Sequence, residues 1–185
     1  MKIALYSCEG FSREVLPILK ENFNANSQGE EVLDVVFIDD NSQYHGKIIN
    51  GIKVISFDEL CKEKNRDRLI SVAIANSKIR EKLVIKCKRE GFGFTDIVSR
   101  NSSIYDDNEF GEGLILCANT MITSNAKIGK HFHCNIYSYV AHDCIIGDYV
   151  TFAPNVACNG RVNIGDHAYI GTGVVFKQGG PGQVS

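Results

Sequence analysis

Apolar residues recur at every sixth position through the second half of this chain. Ile104, Phe110, Leu116, Ile122, Ile128, Cys134, Val140, Ile146, Phe152, Cys158, Ile164, Ile170 and Phe176 form an unbroken series. With 44% hydrophobic residues overall, such a run arises by chance roughly once in tens of thousands of trials. A second series, mostly of small residues, lies two positions earlier, from Leu114 to Val174. One large and one small inward residue in every six describes short strands stacked as a parallel β-helix. A β-sandwich of alternating strands would show variable turn spacing instead.

A longer period is superimposed on the first. Ile128-Gly129-Lys130, Ile146-Gly147-Asp148 and Ile164-Gly165-Asp166 recur every eighteen residues. Eighteen residues therefore predict one triangular coil, with Gly129, Gly147 and Gly165 stacked at a corner. Glycine is expected there because it accepts positive φ without a Cβ clash.

The first hundred residues show no such repeat. Residues 2–7 read as a buried strand, followed by a turn at Cys8-Glu9-Gly10-Phe11. Ser12 is placed to cap a helix running to about Asn22, with Val15, Leu16 and Leu19 inward. Residues 33–38 form a second apolar strand ending in Asp39 and Asp40, and Asn50-Gly51 signals a hairpin. A short helix at 57–61, a strand at 69–74, a helix at 77–89 and a last strand at 94–98 complete the pattern. Strands alternating with helices predict a parallel sheet with ligands at the strand C-terminal ends. The domains are expected to span 1–98 and 99–185. A dinucleotide fingerprint needs Gly-x-Gly-x-x-Gly after the first strand, and only Gly10 is present, which excludes NAD.

Composition narrows the function further. A net charge of −2 gives no electrostatic case for nucleic acid. The apolar start is too short for a signal peptide and no segment could span a bilayer, so a cytoplasmic protein is expected. The seven cysteines include no Cys-x-x-Cys pair. Cys134 and Cys158 take large inward positions and Cys144 a small one, as reduced thiols acting as small hydrophobes.

The hexads match the pattern [Ile/Leu/Val]-Gly-x-x-[small]-x of the left-handed β-helix, or hexapeptide-repeat, acyltransferases. Residues 135–148, Asn-Ile-Tyr-Ser-Tyr-Val-Ala-His-Asp-Cys-Ile-Ile-Gly-Asp, resemble one branch more closely. That branch comprises bacterial nucleotide-sugar N-acetyltransferases and the related sialic acid O-acetyltransferases. Its members carry a small Rossmann-like α/β domain before the left-handed parallel β-helix. They use acetyl-CoA and form homotrimers whose active sites lie in clefts between helices. The resemblance implies acetyl transfer to the amino group of a nucleotide-linked 4-amino-4,6-dideoxy sugar, feeding surface glycan synthesis. O-acetylation of a sialic acid-type sugar is the nearest alternative. A non-catalytic sugar-nucleotide-binding or assembly module is an alternative of another class.

Such a transfer needs a base to take the proton of the nucleophile, and histidine suits neutral pH. His45 lies in a loop without a constellation. His131 and His133 fall at outward positions and lack a third ligand, so no metal is expected. His167 follows a corner and is expected in solvent. His142 points outward beside Asp143, which can hold its tautomer. By resemblance, His142 is the catalytic base with Asp143 as partner, and Asn135 orients the substrate. Thr151, Gly160 and Thr172 align with residues beside the acetyl-CoA arm, Gly160 offering a backbone N–H to the thioester oxygen. Family members often have histidine at position 151, so Thr151 is a departure. Gly10, Phe11, Asp39, Asp40 and Asn76 would line the nucleotide-sugar pocket. The register fails at Gly179-Gly180-Pro181-Gly182. An irregular loop is therefore expected over 178–185, with the natural enzyme continuing for at least one more coil and a cap.

Overall fold

The structure, a computed structural model, describes residues 1–26, 32–62 and 67–180. Its contacts divide the chain into Met1–Thr95 and Asp96–Ser185.

The first unit runs β1 (Lys2–Tyr6), α1 (Gly10–Asn26), β2 (Asp34–Ile38), β3 (Ile48–Ile49), β4 (Ile52–Ile55), α2 (Phe57–Lys62), β5 (Leu69–Val72) and α3 (Ser77–Arg89). The sheet order is β3-β4-β2-β1-β5. All pairs are parallel except the β3–β4 edge hairpin. Central β1 is buried from Ile3 to Tyr6, which explains its continuous apolar run. The hairpin turns at Asn50 (φ 49°) and Gly51 (φ 78°), the residue types that tolerate two successive positive φ values.

Two local expectations are corrected. Ser12 does not cap α1, which already begins at Gly10. Its buried hydroxyl is instead shared between the carbonyls of Tyr6 (3.2 Å) and Ala73 (3.1 Å), tying together the ends of neighbouring strands. The strand expected over 94–98 is divided. Phe94 bridges Ile70, whereas Ile97–Val98 pairs with Ile115–Leu116 as the first rung of the second unit. Val98 sits six residues before Ile104 and so belongs to the inward series.

Among the described residues, fourteen two-residue strands run from Ile97–Val98 to Val175–Phe176. Each of the first eleven pairs in parallel with the strand eighteen residues further on, as Tyr139–Val140 does with Ala157–Cys158. Three parallel sheets result, and the large inward residues stack within them. Phe152 is fully buried and meets Phe132 edge-on at 5.1 Å. Polar residues in the small series are satisfied by backbone. Ser138 Oγ donates to the Ala153 carbonyl (2.9 Å) and accepts from the Val156 N–H (3.0 Å), so its burial leaves no unpaired group.

Positive φ recurs at the corners, at Asp107, Gly113, Asn119 and every sixth residue onward to Gly173. Gly129, Gly147 and Gly165 are not among these positions; His131, Tyr149 and His167, two residues later, are. Gly129 and Gly147 answer to close approach instead, whereas a Cβ on Gly165 would meet nothing within 4 Å among the described residues. A Cβ on Gly129 would lie 2.5 Å from the Gly147 carbonyl carbon and 2.6 Å from Asp148 Oδ1. That carboxylate is drawn in because it accepts the Lys130 N–H at 2.8 Å, as Asp166 accepts that of Asp148 at 2.7 Å.

The surface placement of the histidine pair is also corrected. His131 and His133 are each about 1% exposed. His131 stacks on Tyr149 (5.4 Å) and Tyr149 on His167 (5.3 Å), the three lying one coil apart, so His167 is partly buried as well. Residues 178–180 carry no regular structure, although the Gly179 N–H still donates to the Gly160 carbonyl at 2.9 Å. The rest of the expected terminal loop, 181–185, lies outside the described residues. No helix among the described residues is long and apolar enough to cross a membrane.

Candidate active site

His142 and Asp143 occupy the corner between strands Tyr139–Val140 and Ile145–Ile146. Asp143 takes φ 59°, which aspartate tolerates better than most residues. The corner is pinned from both neighbouring coils. The Asp143 N–H donates to the Ser124 carbonyl (3.1 Å), and the Arg161 N–H donates to that of His142 (2.9 Å).

His142 Nδ1 lies 2.8 Å from Asp143 Oδ2, and both side chains are nearly half exposed. A carboxylate accepting the Nδ1–H leaves the Nε2 lone pair outward. Nε2 has no hydrogen-bond partner among the described residues. Gly160 stands one coil further on. A Cβ there would come within 2.5 Å of both Cε1 and Nε2, so the imidazole rests against bare backbone. Arg161 Nε approaches Asp143 Oδ2 at 3.8 Å. The coil carrying Gly160 is held in turn: Tyr139 donates to Asn159 Oδ1 (2.9 Å), and Asn159 Nδ2 donates to the Phe176 carbonyl (2.6 Å). An oriented, accessible imidazole with a free Nε2 can act as a general base.

The structure thus brings together His142, Asp143 and Gly160. It adds Arg161, Tyr139 and Asn159, which sequence reading missed. Adding the eighteen-residue period to Asp143 would have found Arg161. Asn135 and Thr172 lie at a different corner, before and after other strands. The Asn135 carboxamide oxygen accepts the Ile136 N–H at 3.1 Å, and Thr172 is exposed. Thr151 lies in register between His133 and Tyr169 and is 4% exposed, so its side chain is not on an open surface. No group of three His, Cys, Asp or Glu suited to a metal occurs among the described residues.

The first unit contains a cavity of about 250 Å³ lined by Tyr6, Ser7, Glu9, Asp39, Asp40, Ile74, Ile79 and Leu83. It opens beyond the C-terminal ends of β1, β2 and β5, where parallel sheets bind ligands. The two aspartates differ. Asp39 Oδ1 accepts the Asn41 N–H (2.9 Å), and Oδ2 accepts the N–H (3.1 Å) and S–H (3.3 Å) of Cys8. Burial, helped by this hydrogen bond, pushes the Cys8 thiol up to about 12, so it stays protonated and donating. Asp39 therefore holds the turn. Asp40 Oδ1 accepts from Tyr6 Oη (2.9 Å) and Lys86 Nζ (2.8 Å). Burial first, and then Asp40, push the Tyr6 phenol up, which keeps it a donor.

Gly10 and Phe11 open α1 beside the lining residue Glu9. Asn76 is the N-cap of α3, its Oδ1 accepting the Lys78 and Ile79 N–H groups at 3.1 Å each. Tyr6 and Lys86 were absent from the sequence reading. One is an ordinary strand end and the other an ordinary helical lysine, and no local pattern joins them.

Comparison with known proteins agrees with both units. The PglD N-terminal domain family matches residues 2–87. The chain is 42% identical to a GDP-perosamine N-acetyltransferase of Escherichia coli O157:H7, over 96% of this chain and 78% of that one. WeeI from Acinetobacter baumannii AYE superposes with a TM-score of 0.90 at 48% identity, covering 98% of this chain and 82% of that one. The acetyltransferase domain of PglB from Neisseria gonorrhoeae FA1090, solved with acetyl coenzyme A, gives a TM-score of 0.82 at 24% identity over 96% and 82% of the two chains; this last likeness speaks to the fold.

Proposed function

The chain belongs to the acetyl-CoA-dependent sugar N-acetyltransferases built on a left-handed β-helix, and on that premise we propose that it acetylates the amino group of a nucleotide-linked 4-amino-4,6-dideoxy sugar, with His142 as base. The observation carrying this reading is the His142–Asp143 pair at 2.8 Å, set against Gly160. Asp143 holds the Nδ1–H, and Nε2 takes the proton that the sugar amine loses on attack. Acetyl-CoA supplies the acetyl group as a thioester. The bare backbone at Gly160, where a side chain would collide with the imidazole, leaves room beside Nε2 for that group. Exposed Thr172 suits contact with the cofactor arm. Buried Thr151 could contribute only through the backbone around it. Asn135 would orient the acceptor.

For the nucleotide we propose a guanosine diphosphate, as in the E. coli relative's name, held by the cavity of the first unit. The product would enter surface glycan synthesis in the cytoplasm. We also propose a parallel homotrimer: outward-facing Tyr169 and Val175 are 63% and 66% exposed, a surface that a neighbouring helix could cover.

The test is incubation with acetyl-CoA and GDP-perosamine, alongside UDP- and dTDP-linked 4-amino sugars and free sialic acid, following release of the CoA thiol and acetylated product. Turnover with an amino sugar supports the reading. Turnover confined to sialic acid would replace it with O-acetylation, and nucleotide-sugar binding without any turnover would favour a non-catalytic module.

A further inference from the structure

Asp39 and Asp40 stand side by side at the end of one strand, yet only one has an oxygen to spare. Both oxygens of Asp39 are taken by Asn41 and Cys8. Asp40 commits Oδ1 to Tyr6 and Lys86, and its Oδ2 has no hydrogen-bond partner among the described residues. The rest of the lining is apolar at Ile74, Ile79 and Leu83, polar at Tyr6 and Ser7 and acidic at Glu9, with no cation among its lining residues. Apolar walls with carboxylates at one edge suit a flat heterocycle that presents N–H donors. They do not suit a phosphate, which the carboxylates would repel.

Asp40 would not hold such a pose unaided, because its side chain is 54% exposed. What fixes it comes from α3. The Lys86 ammonium lies 4.3 Å from the centre of the Phe57 ring and 5.7 Å from that of Tyr6, a cation–π seat that limits where it can go. From that seat it reaches Asp40 at 2.8 Å and the Tyr6 hydroxyl at 3.0 Å. Tyr6 in turn stacks on Phe57 at 5.9 Å. Lysine, phenol and carboxylate form a closed triangle mounted on an aromatic base.

We propose that Lys86 is a positioning residue for nucleobase recognition: with Tyr6 it locks Asp40 so that Oδ2 meets an N–H donor of the base. This deepens, and rests on, the reading of the first unit as a nucleotide-sugar pocket. Losing a charge-assisted contact that holds the acceptor should cost about 1.4 kcal/mol of nucleotide affinity, a factor of about ten.

The experiment is calorimetric titration of the intact protein with GDP, UDP, dTDP and acetyl-CoA separately, for wild type, Lys86→Met, Lys86→Arg and Asp40→Asn. The nucleotide that wild type binds should bind about tenfold more weakly to Lys86→Met. Lys86→Arg should recover most of that loss, and the acetyl-CoA affinity should not move. In turnover, KM for the nucleotide sugar should rise far more than kcat falls. For GDP, inosine diphosphate, which lacks the 2-amino donor, sharpens the result: its disadvantage should shrink in Lys86→Met and in Asp40→Asn. Unchanged nucleotide affinity in folded Lys86→Met overturns the inference alone, as does an equal loss for acetyl-CoA. If wild type binds none of the three nucleotides, the pocket reading itself fails and takes the inference with it.

Discussion

In the β-helix, a residue's surroundings are set by residues eighteen positions away: Val140 stacks between Ile122 and Cys158, and His142 faces Gly160. In the first unit, Asp40 is set by Tyr6 and Lys86, 34 and 46 residues distant in opposite directions along the chain. A repeat converts tertiary contact into arithmetic on residue numbers. An α/β unit without a repeat offers no such arithmetic, and its site forms where unrelated segments meet. The two regions should therefore fail differently, the helix through neighbouring coils and the first unit through particular triangles and caps.

The largest expected effect separates chemistry from binding. His142→Ala should lower turnover by about 10² to 10⁴, while nucleotide affinity, which we propose lies in the other unit, stays near wild type. Steady-state kinetics beside GDP titration checks this. Near-normal turnover in the folded variant would remove His142 as base.

Next in size is a break in the ladder. Phe152 is fully buried against Phe132, and Phe152→Ala should cost about 3–5 kcal/mol. Because each coil rests on its neighbours, the loss should weaken the whole β-helix rather than one coil. Denaturant unfolding followed by circular dichroism measures it. A change below about 1 kcal/mol would mean that coils yield independently.

A smaller effect tests whether proximity along the period carries function. Gly160→Ala needs no unusual φ, yet its Cβ would press on the imidazole. Displacing a base by about an ångström can cost up to about 10²-fold, so kcat should fall about 10- to 100-fold with little loss of stability. Gly165→Ala is the control, since a Cβ there meets nothing within 4 Å among the described residues. Equal kinetics for the two variants would detach Gly160 from the site.

These contrasts also explain what could be read beforehand. The coil length, the inward ladder and the His142–Asp143 corner were legible because periodicity fixes register. The reason for the corner glycines was not. Positive φ and close backbone approach both favour glycine, and only coordinates show that the first belongs to His131, Tyr149 and His167. The burial of His131 and His133 escaped for a similar reason: alternation marks them as outward without showing what stacks on them. In the first unit the strands other than the one expected over 94–98, the hairpin and α3 were legible from local pattern. The Lys86–Asp40–Tyr6 triangle was not, since helical spacing on α3 says nothing of a strand end elsewhere. Ser12 shows the same limit, its capping residue type serving two distant carbonyls.

The smallest effect bears on a residue that the family resemblance assigned to the nucleotide pocket. Asn76 Oδ1 is already engaged by the Lys78 and Ile79 N–H groups at the start of α3. That bond satisfies two of the donors that a helix leaves open at its N-terminus. Asn76→Ala should therefore cost about 1 kcal/mol of stability, and Asn76→Asp, which keeps an acceptor oxygen, should cost less. If capping is its whole role, nucleotide affinity in both variants should change by less than about twofold under conditions where the protein remains folded. α3 also carries Lys86, Ile79 and Leu83, so a frayed first turn could loosen the cavity. The aspartate variant separates the two routes. Affinity lost in Asn76→Ala and restored in Asn76→Asp would place the effect in the helix. Affinity lost equally in both, with the cap intact in the second, would instead make the Asn76 carboxamide a direct ligand contact.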